Sequence, residues 1–189
     1  AFYYFNKNHD IGHAVRLSRI ISGLRARGLK QDDISLFCAR AAGYPFDDLR
    51  RLTRLVRLPP FKSRFLKKRQ AIMRFELERS GPDFLITEFF PFGRLECSSE
   101  ARGLLSFARE NKIKAAASVP LPYFVHSCAR LGELFDAAGF YDRILVHCPP
   151  GADLRYVARR IGGEHRIAPA EFLRTFARLK EKIFFTGYI

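Results

Sequence analysis

The residues best suited to chemistry lie near the start of the chain, in a segment that reads NKNHDIGHAVR over residues 6–16. It joins an apolar run to a stretch with helical periodicity, so it predicts a turn from a strand into a helix. A helix that begins near His13 presents free N–H groups and the positive end of its dipole to this turn. Gly12 lets a bound group approach the backbone closely. The turn therefore predicts a site for a phosphate or another anion.

Two histidines in this turn, His9 and His13, could act at neutral pH. A histidine at the mouth of a helix suits a general base, because imidazole exchanges a proton near neutrality. A plain capping or packing role is the alternative. The pair also has the separation of a metal site, but HDIGH is not H-E-x-x-H, and Gly12 favours a loop over a helix interior. The segment also lacks the glycine patterns of dinucleotide-binding and ATPase loops.

The elements that must position this turn alternate between short apolar strands and amphipathic helices. Predicted strands cover 1–5, 33–39, 52–58, 83–88, 114–119, 143–147 and 182–186, and predicted helices cover 14–28, 61–79, 100–111, 126–138, 152–161 and 169–179. This order predicts a single α/β domain over residues 1–189, Rossmann-like, with a mostly parallel sheet and helices on both faces. Ligands of such sheets bind beyond the carboxyl ends of the strands, so residues just after strands are the candidates for function.

Composition agrees with a folded domain and adds a strong positive charge. The 189 residues are 48% apolar, with four scattered cysteines and a net charge of +14. This excludes a disordered chain, and no apolar run approaches the ~18 residues of a spanning helix. The opening AFYYFN has no secretory pattern, and scattered buried thiols fit a reducing compartment, so we expect a cytoplasmic protein.

The positive charge is concentrated in one segment, residues 50–79. Eleven basic residues lie there, opposed only by Glu76 and Glu78, so the segment carries +9 of the total charge. Such a cluster attracts nucleic acid, anionic lipid headgroups or phosphorylated substrates. The alternative is a solvated basic helix face. In the helix predicted over 61–79, we expect the basic side chains to point outward.

Several segments together resemble a known family. The first strand, the loop that ends in Gly12-His13, and the helix with Arg16 three residues on are similar to the amino-terminal half of GT-B glycosyltransferases. The resemblance continues through PDFLITEFFPFG at 82–93, YDRILVH at 141–147 and TGYI at 186–189. It is strongest to predicted glycosyltransferases related to the enzyme that adds N-acetylglucosamine to the lipid-linked cell-wall precursor.

The resemblance implies that two domains bind the two substrates. In that family the amino-terminal domain supplies most of the acceptor site, and a second Rossmann-like domain binds the nucleotide-sugar. The chain ends where that second domain would begin, so the fragment alone is expected to be inactive. GT-B enzymes often work without a bound metal, and the absence of a D-x-D motif from this sequence agrees with that. The resemblance implies no resident cofactor.

The expected partners follow from the same resemblance. They are the nucleotide-sugar donor, held mainly by the second domain, and a sugar or lipid-linked acceptor. The basic segment 50–79 adds an expected peripheral contact with an anionic membrane, at its inner face, whereas specific binding of nucleic acid is not expected because no nucleic-acid-binding motif is present.

The resemblance also assigns roles to particular residues. His13 becomes a base or a hydrogen-bond donor to phosphate, and Gly12 and Arg16 belong to the same phosphate-facing loop and helix. Glu88, just after its strand, would deprotonate or position a sugar hydroxyl, the alternative being a pair with an arginine or a cap for the Gly93 loop. The remaining candidates flank or line the cleft and are Asn8, Asp10 and Ser118, with His147 as a weaker one.

Two other functions remain open on the sequence alone. One is a binding module for nucleic acid or another polyanion, driven by the basic segment 50–79. The other is the amino-terminal half of a GT-B-like enzyme such as a sugar-nucleotide 2-epimerase, which shares the architecture. The primary function expected is glycosyl transfer to a hydroxyl acceptor, including a phosphorylated or lipid-linked one.

Overall fold

A computed structural model describes residues 1–3, 11–39, 46–92, 95–120, 136–165 and 169–187. Seven strands in these ranges form one sheet in which every pairing is parallel. The strands are β1 (Phe2–Tyr3), β2 (Ser35–Cys38), β3 (Arg54–Arg57), β4 (Phe84–Glu88), β5 (Lys114–Pro120), β6 (Arg143–His147) and β7 (Ile183–Phe185).

The order of the strands in the sheet is β3-β2-β1-β4-β5-β6-β7. From β1 the chain adds strands outward to β3, returns to the middle, and then adds β4 to β7 on the other side. At this reversal, between β1 and β4, the connections leave the sheet in opposite directions. Open parallel sheets form their ligand crevice there, outside the carboxyl ends of the strands.

Helices cover both faces of the sheet. They are α1 (Ile11–Ala26), α2 (Phe46–Leu52), α3 (Leu66–Ser80), α4 (Ser98–Glu110), α5 (Leu154–His165) and α6 (Pro169–Phe176). One hydrophobic cluster joins α1 and α2 to the face that carries Phe2, and a larger one joins α3 to α6 to the face that carries Tyr3. Adjacent residues of a strand point to opposite faces, which explains the division. The predicted Rossmann-like α/β fold is confirmed.

Several element boundaries differ from the prediction. The structure adds α2, which the sequence did not indicate, because a helix of seven residues buries only two side chains, Phe46 and Leu49. Helix α1 already begins at Ile11, so Gly12 and His13 lie in its first turn rather than in a loop. Most of the helix predicted over 126–138 lies outside the described residues.

A buried ion pair corrects the expectation that the basic side chains of residues 61–79 all point outward. Arg69 of α3 is 1% exposed, and its Nε and Nη2 donate to the two carboxylate oxygens of Glu100 in α4 at 2.6 and 2.8 Å. The Tyr3 hydroxyl of β1 donates to the same carboxylate. The charge of Arg69 is therefore neutralised inside the protein, where it joins two helices to the first strand.

The remaining sequence expectations concern the thiols and membrane insertion. Cys38, Cys97 and Cys148 are buried, as predicted, whereas Cys128 lies outside the described residues. No helix in the described ranges combines the length and the apolar character that crossing a membrane requires.

Candidate functional site

Polar side chains at or near the ends of four neighbouring strands meet at the carboxyl edge of the sheet. Glu88 ends β4 and pairs in register with Ser118 of β5, while His147 ends β6 and Thr186 follows β7. Arg16 reaches this edge from α1. Hydrogen bonds connect all five residues into one chain, which we call the carboxyl-edge network.

The first link in this network is an ion pair between Arg16 and Glu88. Arg16 Nε donates to Glu88 Oε1 at 3.0 Å, and Arg16 Nη2 donates to the same oxygen. The Ser118 hydroxyl donates to Glu88 Oε2 at 2.7 Å. The Glu88 side chain is 3% exposed and that of Arg16 is 15% exposed. Burial raises the pKa of the Glu88 carboxyl, while the charge of Arg16 and the two sets of hydrogen bonds act to lower it.

The second part of the network runs through His147. Its Nε2 lies 2.9 Å from Ser118 Oγ, and its Nδ1 lies 2.7 Å from Thr186 Oγ1. Burial and the nearby charge of Arg16 lower the pKa of His147 to about 4, so the imidazole is neutral at pH 7. Ser118 and His147 have the separation of a nucleophile and its base. Ser118 is, however, fully buried, so its oxygen is not placed to attack a substrate in this conformation.

The turn after β4 holds this arrangement in place with a strained backbone. Phe89 has φ 69, a left-handed conformation that costs free energy for a bulky side chain. Its ring lies 4.9 Å from the guanidinium carbon of Arg16, and its N–H donates to the Ser118 carbonyl at 2.9 Å. On the other face, the Tyr141 hydroxyl donates to the Phe90 carbonyl at 3.0 Å. The fold therefore supports a strained conformation directly beside the network, a pattern typical of functional sites.

Three residues that the sequence singled out, Arg16, Glu88 and Ser118, come together in the structure. The structure shows Glu88 paired with an arginine, which was the alternative role for it. With both of its oxygens engaged and almost no exposed surface, Glu88 is placed to position Arg16 more directly than to contact a hydroxyl. Its catalytic role stays a prediction.

The other candidates lie in the sequence just before α1 or in its first turn. Gly12 is exposed, and no described atom lies within 4 Å of a Cβ placed on it. His13 is the third residue of the helix, but its side chain lies outside the described residues, as do Asn8 and Asp10.

Sequence reasoning gave His147 little weight and attached no role to Thr186. Both occupy the position that the rule for parallel sheets marks, the last residue of a strand or the one after it. Applied to β6 and β7, that rule would have added both residues to Glu88 and Ser118.

The basic segment 50–79 divides into paired and unpaired cations. Arg54 and Arg79 pair with Glu76 at 2.6 and 2.9 Å, and Arg69 pairs with Glu100. Seven exposed cations of the segment show no ion pair with the described residues, and all but Arg51 and Arg74 extend from the end of β3 into the first turn of α3: Arg57, Lys62, Arg64, Lys67 and Lys68. Only part of the charge counted in the sequence is therefore available to an external polyanion.

Comparison with known proteins adds no assignment. The sequence matches no protein-family model, and a search of curated proteins finds no significant match. Among the described residues, no group of three His, Cys, Asp or Glu side chains is arranged to hold a metal ion. Inference about function therefore depends on the carboxyl-edge network.

Proposed function

We propose that residues 1–189 form the acceptor-side domain of a nucleotide-sugar-dependent glycosyltransferase. It would transfer a sugar to a hydroxyl acceptor, including a phosphorylated or lipid-linked one, and a second domain would hold most of the donor. The observation that carries the proposal is the fixed guanidinium of Arg16, held at the reversal of the sheet beside the first turn of α1. The resemblance of the Gly12-His13 turn and of residues 82–93 to GT-B enzymes supports the same function.

Arg16 has the properties that a departing diphosphate requires. A guanidinium carries five N–H donors, and Glu88 accepts from two of them, so three make no hydrogen bond with the described residues and could bind a ligand. Because Glu88 and the Phe89 ring fix its orientation, little reorganisation is needed when negative charge develops on the leaving group. The positive end of the α1 dipole adds to the same field.

His13 would supply the base in this proposal. Position 13 lies one turn before Arg16, and residues three apart share a helix face. A base there would take the proton of the acceptor hydroxyl while Arg16 binds the departing phosphate. In this arrangement Glu88 is a positioning residue, which acts by holding Arg16.

A transfer assay on the full-length protein tests the proposal. We expect release of nucleoside diphosphate that depends on an acceptor, and a fall in kcat of about 10²-fold or more when Arg16 is replaced by Lys, which keeps the charge but loses the fixed fork of donors. His13→Ala should also lower kcat. Arg27→Ala, at an exposed site beyond the end of α1, is the matched control and should leave the rate unchanged.

Each contrary outcome has a defined meaning. Near-normal rates in both Arg16→Lys and His13→Ala, with unchanged urea midpoints, would remove these role assignments. Epimerisation of the nucleotide-sugar without transfer would support the epimerase instead. Salt-sensitive binding of polyanions without any turnover of nucleotide-sugars would support a basic binding module.

A further inference from the structure

The carboxyl-edge network connects a buried carboxylate with the protein surface. Glu88, Ser118 and His147 are each no more than 5% exposed, whereas Thr186 is exposed. The three hydrogen bonds between them measure 2.7, 2.9 and 2.7 Å in order from Glu88 to Thr186. Each link joins two groups that can both donate and accept, depending on where their protons are.

The protonation state of Glu88 determines the direction of every hydrogen bond in this chain. An ionised Glu88 can only accept, so Ser118 must donate to it and must accept from Nε2–H of His147. The neutral imidazole then has a bare Nδ1, which accepts from the Thr186 hydroxyl.

A protonated Glu88 permits the opposite order. Glu88 donates to Ser118, Ser118 donates to Nε2, and Nδ1–H donates to Thr186. The Thr186 hydroxyl then turns to the carbonyl of Gly187 or Val146, at 3.3 and 3.4 Å. The same heavy atoms therefore accommodate both states.

We propose that Ser118, His147 and Thr186 form a proton relay between solvent and the buried carboxylate of Glu88. In the inward direction, the Thr186 hydroxyl passes its proton to His147 Nδ1 and takes one from solvent, Nε2–H passes its proton to Ser118 Oγ, and the Ser118 proton moves to Glu88 Oε2. The imidazole and the hydroxyl are neutral before and after, Glu88 gains one proton, and solvent loses one. The outward direction reverses each step.

The electrostatic surroundings favour such a relay over storage of the proton on His147. Among the described residues, Arg16 is the charged group that acts on both Glu88 and His147. Its positive charge disfavours an imidazolium, so the proton passes through the ring and resides either on Glu88 or in solvent.

The relay itself does not depend on the enzymatic role, but its use in catalysis rests on the proposed function. By letting Glu88 gain or lose a proton while bound ligand covers the cleft, the relay would change the charge that holds Arg16. In that use Ser118, His147 and Thr186 are positioning residues, since they act through Glu88. A failed transfer assay would leave the relay intact, and a failed relay would leave the transfer assignment intact.

The test follows the tautomer of His147 by nitrogen-15 NMR of the full chain labelled at its histidines, with the signal assigned by its loss in His147→Asn. At neutral pH the wild type should carry the ring proton on Nε2. In Glu88→Gln, the amide oxygen faces Arg16 and the amide NH₂ faces Ser118, which reproduces the direction of a protonated Glu88. We expect the ring proton to move to Nδ1 in this variant, so that the two nitrogen shifts exchange.

Two comparisons isolate the relay. Adding Ser118→Ala to Glu88→Gln removes the link, so the double variant should show the same tautomer as Ser118→Ala alone. Glu76→Gln alters another carboxylate paired with arginines and should leave the His147 signals unchanged.

Acidification of the wild type gives an independent measurement that needs no variant. The His147 tautomer should change from Nε2–H to Nδ1–H as Glu88 becomes protonated. Carbon-13 NMR of the Glu88 carboxyl follows that titration. Nδ1–H in the wild type at neutral pH, or an unchanged tautomer in folded Glu88→Gln, would overturn the proposal. A His147 tautomer that stays unchanged while Glu88 titrates would overturn it as well.

Discussion

Replacing Arg69 by Met tests how strongly the buried ion pair holds α3, α4 and β1 together. The side chains of Arg69 and Glu100 are 1% and 0% exposed, so water cannot take the place of a lost partner. Arg69 supplies two of the three hydrogen bonds to the Glu100 carboxylate, and the Tyr3 hydroxyl supplies the third. Removing one partner of such a pair leaves an uncompensated buried charge, which costs about 3–5 kcal/mol. We therefore expect Arg69→Met to lower the free energy of unfolding by that amount, a large part of the ~5–15 kcal/mol typical of a domain.

Urea unfolding followed by circular dichroism measures the loss, and Arg54→Met is the matched control. The side chains of Arg54 and Glu76 are 26% and 16% exposed, and in the variant Glu76 retains its ion pair with Arg79 at 2.9 Å. Arg54→Met should therefore lower the free energy of unfolding by less than about 1 kcal/mol. Neutralising the orphaned carboxylate as well, in Arg69→Met with Glu100→Gln, should recover most of the stability. Equal losses in Arg69→Met and Arg54→Met, or no recovery in the double variant, would refute the reasoning.

Two further predictions concern backbone conformation and pH. Gly81 ends α3 at φ 48 and ψ 52, so Gly81→Ala should lower the free energy of unfolding by about 1 kcal/mol, whereas Gly23→Ala inside α1 should raise it by about 0.5–1 kcal/mol. Neither glycine has a described atom within 4 Å of the added carbon, so the backbone conformation decides both effects. Thermal midpoints of the two variants that move in the same direction would contradict this. The pKa of His147 is about 4 in the folded protein against an ordinary 6.5, so the unfolded chain binds a proton first, and stability should fall between about pH 7 and pH 4. That loss is at most about 3 kcal/mol before solvent screening, and His147→Asn should show a shallower decline in urea midpoint over the same range.

The sequence predicted the strands of the sheet best where apolar runs lie between strong turn signals. Strand β6 has the predicted bounds. Strand β4 begins only one residue later than predicted, because the turn signal Gly81-Pro82 marks the start of its apolar run. The seven residues of α2 are too few to show a helical period. The partner of Arg69 lies 31 positions away, and nothing local distinguishes this residue from the other basic residues around it.

The candidate site was predictable in location and only partly in composition. The rule that ligands bind at the carboxyl ends of strands placed Glu88 and Ser118 together, and their register confirms that placement. The contacts of His147 with Ser118 and Thr186 span 29 and 39 positions of sequence. Such contacts depend on the order of strands in the sheet, which the alternation of elements alone does not specify.

The central position of the two-residue strand β1 has a consequence for how the chain folds. Phe2 aligns with Leu36 on one side and with Ile86 on the other, so β1 receives its second neighbour only after β4 has been synthesised. Strands β1 to β3 can condense early around the apolar side chains of α1 and α2, because their sequence separations are short. Closure of the gap between β1 and β4 is then the late, entropically costly event. The chain would thus leave the ribosome with a half-built sheet, in which the edge of β1 that later binds β4 is still open.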